Sequence, residues 1–227
     1  MAPSYSGVWK LQTQYQYRSD WPIDLSLLSI GLFAAGYSQT AGAIIKSIDR
    51  IEIETTSNAT DFGDLTVVRY DLGSVGSSTR LVSGGGNVDY SNPSNVMDYV
   101  TFSSTGDATD FGDRTVSQFS VTGLSSSTRG LFAGGNYSSL DDTIDYITIA
   151  STGDATDFGD LSAARYVANS NVSSKVRGVV AGGVESGRVN TIEYITIAST
   201  GNATDFGDCS GLISQQGGAS NSHGGIS

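Results

Sequence analysis

An all-β chain, built from four copies of one small antiparallel sheet, is predicted by three observations: a string repeated four times at one spacing, strand-like alternation inside each copy, and an excess of glycine. The string ATDFGD carries Phe62, Phe111, Phe158 and Phe206, which lie 49, 47 and 48 residues apart. A second signature keeps step with it: LFAAG from Leu32, LVSGG from Leu81, LFAGG from Leu131 and VVAGG from Val179. A third, IDRI, MDYV, IDYI and IEYI, surrounds Asp49, Asp98, Asp145 and Glu193. Self-similarity at a fixed period marks a repeat architecture, in which each unit buries its apolar face against the next. Glycine makes up 29 of 227 residues, about twice its usual share.

In chain order, residues 1–22 come first and belong to no repeat; they read as an N-terminal arm, and residues 23–227 as the repeat domain. Each unit reads as four short strands. In the third unit, residues 129–135 (RGLFAGG) are apolar and closed by paired glycines, and residues 143–150 (TIDYITIA) alternate with β-branched side chains, as half-buried strands do. Residues 151–154 (STGD) carry hairpin-turn chemistry, because Gly and Asp tolerate the positive φ of tight turns. Residues 155–161 return as the outer strand, and residues 165–173 (RYVANSNVS) enter the next unit as an inner strand of small residues. No segment shows the periodicity of a substantial amphipathic helix. Four such sheets in series predict a β-propeller of four blades.

A propeller closes to hide its strand edges. The first unit's expected inner strand, residues 18–25 (RSDWPIDL), contains a proline that is awkward in a hydrogen-bonded ladder. Beyond Asp208 the chain continues as CSGLISQQGGASNSHGGIS. This tail is expected to supply the missing strand of the first blade. The alternative is an open four-unit arc that closes only against another chain.

Composition narrows the partners. A lone cysteine, Cys209, allows no internal disulfide, so the fold is expected to need no oxidising compartment. The first residues lack the basic-then-apolar order of a secretory signal. The most apolar stretch, residues 25–37, is shorter than the roughly 20 residues that cross a bilayer as a helix, and a soluble chain is expected. A formal charge of −11 with scattered basic residues disfavours nucleic acid and anionic membranes as partners.

Three features resemble the kelch family over residues 29–227: an arginine opening the unit (Arg69, Arg165), a hydrophobic strand ending in paired glycines (Gly84 with Gly85, Gly134 with Gly135, Gly182 with Gly183), and an acidic–aromatic pair (Asp98-Tyr99, Asp145-Tyr146, Glu193-Tyr194). Phe stands where kelch repeats carry Trp, and the first unit has Ala35-Gly36 for the double glycine and Arg50 for the tyrosine. The resemblance implies a propeller and leaves function open. A narrower resemblance lies in the GVW-L-Q-Y leader followed by repeats rich in TG(N/D)ATDFGD, which is similar to virion structural proteins of tailed phages of marine or cyanobacterial hosts. It implies a non-enzymatic tail, fibre or decoration component, assembled in the host cytoplasm, with other virion proteins as partners and several copies on the particle. Within the arm, Trp9, Tyr15, Tyr17 and Trp21 are the expected docking residues, since aromatic rings bury large areas with few rotors to freeze.

The candidate chemistry divides into repeated and unrepeated residues. Carboxylates at steps of three, such as Asp107, Asp110 and Asp113, supply the oxygens calcium prefers but lack the order of a dedicated calcium loop. They are expected to cap the hairpin through their own backbone, with the last Asp paired to a repeated arginine. Arg80, Arg129 and Arg177 are expected to be structural. Nothing orients Cys209 and His223 as nucleophile and base, and a lone histidine excludes a multi-histidine copper centre; no catalytic residue, metal or cofactor is expected. The N-x-S/T matches carry no weight without export. The repeats diverge most in the connections after the glycines, residues 37–43, 86–95, 136–142 and 184–190, and divergent loops on a repetitive scaffold carry binding. The candidate ligand residues there are Tyr37, Tyr90 and Tyr137, which can stack on sugar rings, with Asn92, Asp141 and Arg188 as polar partners. They point to a host-surface glycan as the alternative partner.

Overall fold

The structure, a computed structural model, describes residues 29–167 and 171–221. The first sheet holds β1 (Ile30–Ser38), β2 (Ala43–Glu52) and β3 (Thr60–Asp64), in that order. The second holds β4 (Gly73–Gly76), β5 (Arg80–Gly84), β6 (Val96–Thr101) and β7 (Thr109–Asp113). The third holds β8 (Thr122–Ser125), β9 (Arg129–Asn136), β10 (Leu140–Thr148) and β11 (Thr156–Asp160). The fourth holds β12 (Asn171–Ser173), β13 (Arg177–Ala181), β14 (Val189–Thr196) and β15 (Thr204–Ile213). Every paired neighbour is antiparallel. The molecule is therefore all-β, a series of up-and-down sheets in a propeller-like arrangement.

The core lies between successive sheets. Ile48, Phe62 and Leu65 of the first unit pack with Val100 of the second. Val82, Met97 and Phe111 pack with Phe132, Ile147 and Ile149 of the third, and Leu131, Ile144 and Phe158 pack with Val180, Ile195 and Ile197 of the fourth. Among the described residues no such cluster joins the first sheet to the fourth. Each of the two middle units is thus half of two cores, which explains the strict repeat: one face serves the unit before, the other the unit after.

The ATDFGD string encodes a bulge. In each unit the register between the last two strands slips just before the acidic residue, between Met97 and Asp98 in the second unit and between Ile144 and Asp145 in the third. The slip leaves Phe111 and Phe158 as the extra residue, and each points inward and is buried. A bulge of this kind re-aims a side chain at a sheet edge.

Two expectations are corrected. The C-terminal tail does not complete the first sheet among the described residues: β15 runs on along β14, pairing Ile213 with Val189, and the following residues cross β12, where Ser220 Oγ donates to Ser173 O at 2.7 Å. Gly183 N also donates to Ile213 O at 2.8 Å, which ties this end of β15 to its own sheet. The paired glycines of the second unit are Gly85 and Gly86, not Gly84 and Gly85. Their φ values, 72° and 101°, match those of Gly134 and Gly135, 62° and 145°, because this unit is one residue longer here. In the first unit Ala35 adopts the same left-handed conformation at φ 62°.

Candidate functional site

Three kinds of joint hold the repeats together, and they account for most of the repeated polar residues. The first is a buried ion pair. Arg69, from the crossover after β3, places Nη2 2.6 Å from Asp98 Oδ2 and 3.1 Å from Ser83 O, and also donates to Val96 O. Arg114 Nε meets Asp145 Oδ2 at 3.0 Å, and Arg165 pairs with Glu193. A hydroxyl two residues past the outer strand completes two of these sites: Thr66 bonds Asp98 and Thr115 bonds Asp145. Burial holds the Arg69 and Arg114 guanidinium groups below the ordinary arginine value and pushes the Asp145 carboxyl above that of a free aspartate, since desolvation disfavours both charged forms.

The second joint is a latch. The hairpins opening the second, third and fourth ATDFGD strings each lie along the outer strand of the preceding sheet. Gly106 N donates to Phe62 O (2.8 Å) and Ala108 N to Asp64 O (2.7 Å), and Asp64 N donates to Asp107 Oδ1 (3.0 Å). The pattern recurs between Phe111, Asp113 and residues 153–155, and between Phe158, Asp160 and residues 201–203. The leading Asp or Asn therefore bonds the neighbouring unit, not its own turn as expected. The last Asp does not pair with a repeated arginine either: Asp64 meets Lys46 at 3.2 Å, and the buried arginines take Asp98, Asp145 and Glu193. Asp107, Asp154 and Asn202 are thus engaged in backbone bonds.

The third joint is a stack. Arg80, Arg129 and Arg177 lie over the rings of Tyr99, Tyr146 and Tyr194 at 4.5, 4.5 and 4.2 Å from their centroids. Those tyrosines meet Phe111, Phe158 and Phe206 edge to face. Arg80 also reaches Ile149 O (3.2 Å) and Arg129 reaches Ile197 O (2.9 Å), each in the next unit. The first unit has Gly31 and Arg50 at these two positions, so arginine and tyrosine are lost together.

The divergent loops form the candidate ligand face. Tyr90 stands exposed at φ 71° on the β5–β6 loop, with Tyr37 edge-on at 6.3 Å and Tyr70 of the β3–β4 crossover at 5.7 Å. Tyr37 departs from expectation, because β1 runs on to Ser38 and pairs Tyr37 with Ile44, so it sits at a strand end and not in the loop. Asp89 builds this loop: Oδ1 accepts from Ser91 N (3.3 Å) and Asn92 N (3.0 Å), and Oδ2 from Asn92 Nδ2. The Asn92 amide holds Asp89 below the usual carboxylate range. Asn92 is accordingly a builder of the loop.

The other expected ligand residues are dispersed. Tyr137 is exposed on the β9–β10 turn, and Arg188 Nε donates to Ser214 Oγ at 3.1 Å. Asp141 departs from expectation, because β10 already begins at Leu140 and the loop is shorter than it reads. Its Oδ1 accepts from Thr143 Oγ1 (3.0 Å), its carbonyl accepts from Arg165 N (3.1 Å), and its charge acts on buried Arg114. Tyr70 was missed, although an aromatic follows the crossover position in three units, as Tyr70, Phe119 and Tyr166. These three make backbone bridges to Asn87, Asn136 and Val184 respectively. Trp9, Tyr15, Tyr17, Trp21 and His223 lie outside the described residues, and Cys209 is half-buried on β15. No protein-family model matches the chain, and no curated protein is significantly similar to it.

Proposed function

We propose that this chain is a non-enzymatic structural module of a tailed-phage particle, a series of four kelch-like propeller blades docked by its N-terminal arm and presenting its loop face. The observation that supports the reading is the repeated set of joints. Arg69–Asp98, Arg114–Asp145 and Arg165–Glu193 are buried ion pairs, and with the latches they fix the order and spacing of the sheets. A fixed array of sheets suits display. The virion assignment rests on the likeness of the leader and the TG(N/D)ATDFGD repeats to such proteins. Other virion proteins are its partners, and it assembles in the host cytoplasm. Replacing Trp9 and Trp21 by Ala should leave a folded protein that fails to enter particles, read by immunolabelling of purified virions. Undiminished labelling would overturn the arm, and no labelling of wild-type particles would overturn the virion assignment.

A second reading is favoured by the Tyr37–Tyr70–Tyr90 cluster: a glycan-binding face that recognises the host surface. Exposed rings held in register are surfaces for the apolar faces of sugars. Binding on a glycan array that is lost in Tyr90→Ala and kept in Tyr137→Ala would support it.

A further inference from the structure

The two ends of the sheet series are the two halves of the joint found three times inside it. At the tail end, β15 offers the outer strand of the latch with no hairpin against it among the described residues. Phe206 is 56% exposed, whereas Phe62, Phe111 and Phe158 are 3% or less. A Cβ on Gly112 or Gly159 would lie 2.5 or 2.6 Å from the next unit's backbone, and one on Gly63 would meet Gly106 as closely; at Gly207 nothing lies within 4 Å. Cys209 is half-buried, while Leu65 and Leu161, in the same place after their outer strands, are buried.

At the head end, the first sheet shows the complementary half. Phe33 is 62% exposed, where Val82, Phe132 and Val180 are wholly buried, and Ile53 is 63% exposed, where Ile149 and Ile197 are at 1%. Asp49 is exposed and has no arginine partner among the described residues, while Asp98, Asp145 and Glu193 are buried against theirs. Asn58 and Ala59 occupy the latch positions of Asp107 and Ala108, and both are exposed.

We propose that these ends dock head to tail between two copies of this chain. Asn58 Oδ1 accepts from Asp208 N of the second copy, and Ala59 N donates to its Asp208 O, as Asp107 and Ala108 do with Asp64. Phe206 fills the space beside Ala59. The occupant is a second copy because the sequence contains four latch hairpins and three are engaged internally, so the free one is the natural fit for the free strand. Two copies joined reciprocally give eight sheets, within the roughly 4 to 8 over which such rings close, and a head-to-tail contact that closes leaves no open edge. The match has two gaps. Ser57 stands where the other hairpins have glycine, and the tail has Cys209 where the second unit has Arg114, so Asp49 is met by Ser210 in the hydroxyl position and by no guanidinium.

The full-length protein should elute with twice the 23.6 kDa chain mass by light scattering coupled to gel filtration. Ala59→Arg and Phe206→Lys each alter an exposed side chain, so the variants should fold, with an unchanged circular-dichroism spectrum, and run as single chains. Mixed together, they should restore a two-chain species through the one joint left intact. Cys209→Arg should tighten association by at least tenfold, and Asp49→Asn should remove that gain. A single chain at every concentration, or an oligomer that neither end substitution affects, would overturn the proposal.

Discussion

Removing Arg69 should expose how much the crossover depends on its buried charge. The guanidinium and the Asp98 carboxylate are both fully buried, with Nη2 2.6 Å from Oδ2. In Arg69→Met the Asp98 carboxylate keeps only Thr66, and Ser83 O and Val96 O lose their side-chain donor. Leaving one member of a buried pair uncompensated costs about 3–5 kcal/mol. Arg69→Met/Asp98→Leu removes the stranded charge as well, and such apolar replacements are often close to neutral. The double variant should therefore be more stable than Arg69→Met alone, recovering about 2 kcal/mol or more of the loss. Denaturant unfolding of the wild type, the two single variants and the double variant gives the coupling directly. If the two single losses simply add, the pair does not act as a unit and the account of this joint is wrong.

The latch and the loop can be tested in the same way. Asp154→Ala removes the acceptor for Asp113 N and should cost about 0.5–1.5 kcal/mol, with Asp110→Ala, which lacks that role, as the control in thermal unfolding. Gly112→Ala should cost more than either, because its φ of 134° is hostile to a side chain and the new Cβ would meet Gly153; hydrogen exchange should show the loss in the second and third units first. Asp89 is held below the usual carboxylate range, so its bonds to Ser91 and Asn92 are fully present above the unfolded value of about 3.9 and are lost as pH falls through the lowered folded value. The Asn92 side-chain amide resonances should stay fixed from neutral pH down to that range and shift only below it. Movement near neutral pH would contradict the assigned geometry.

The fold was readable because the repeat writes the same physical demand four times. Paired glycines, the alternating IDYI strand and the ATDFGD return each map onto one observed strand or its end. Partner choice was harder to read. Arg114 follows its outer strand directly, whereas Arg69 and Arg165 stand four residues further on, yet all three guanidinium groups reach the same acidic position in the next sheet. Alignment by letter hides that equivalence, since a long side chain can reach one carboxylate from two backbone positions. The aspartates of the hairpin misled for a related reason: turn chemistry explains an Asx residue locally, and only the packed neighbour shows that its oxygen faces another unit's N–H. Asp141 was assigned to a loop because strand ends are the least legible feature of a short β-hairpin.

The repeat also fixes where the candidate ligand face can lie. Joints of all three kinds fix the positions that recur, so a substitution at one of them disturbs a core shared by two units. Tyr37, at the end of β1, and Tyr90 carry no such obligation, and the connections beside them differ in length between units, 39–42 against 85–95. The longer loop lets Tyr90 bend back over Tyr70 and Tyr37, across the boundary between the first two units. That boundary is also the one whose first sheet lacks the Arg–Tyr stack. If the cluster compensates for the missing stack, Tyr90→Ala should lower the stability of the first unit, read as faster hydrogen exchange in β1 and β2. If it serves binding alone, exchange there should be unchanged while ligand affinity falls. An effect on neither would leave the clustering of the exposed Tyr37 and Tyr90 about the half-buried Tyr70 without a role and would remove the support for the glycan reading.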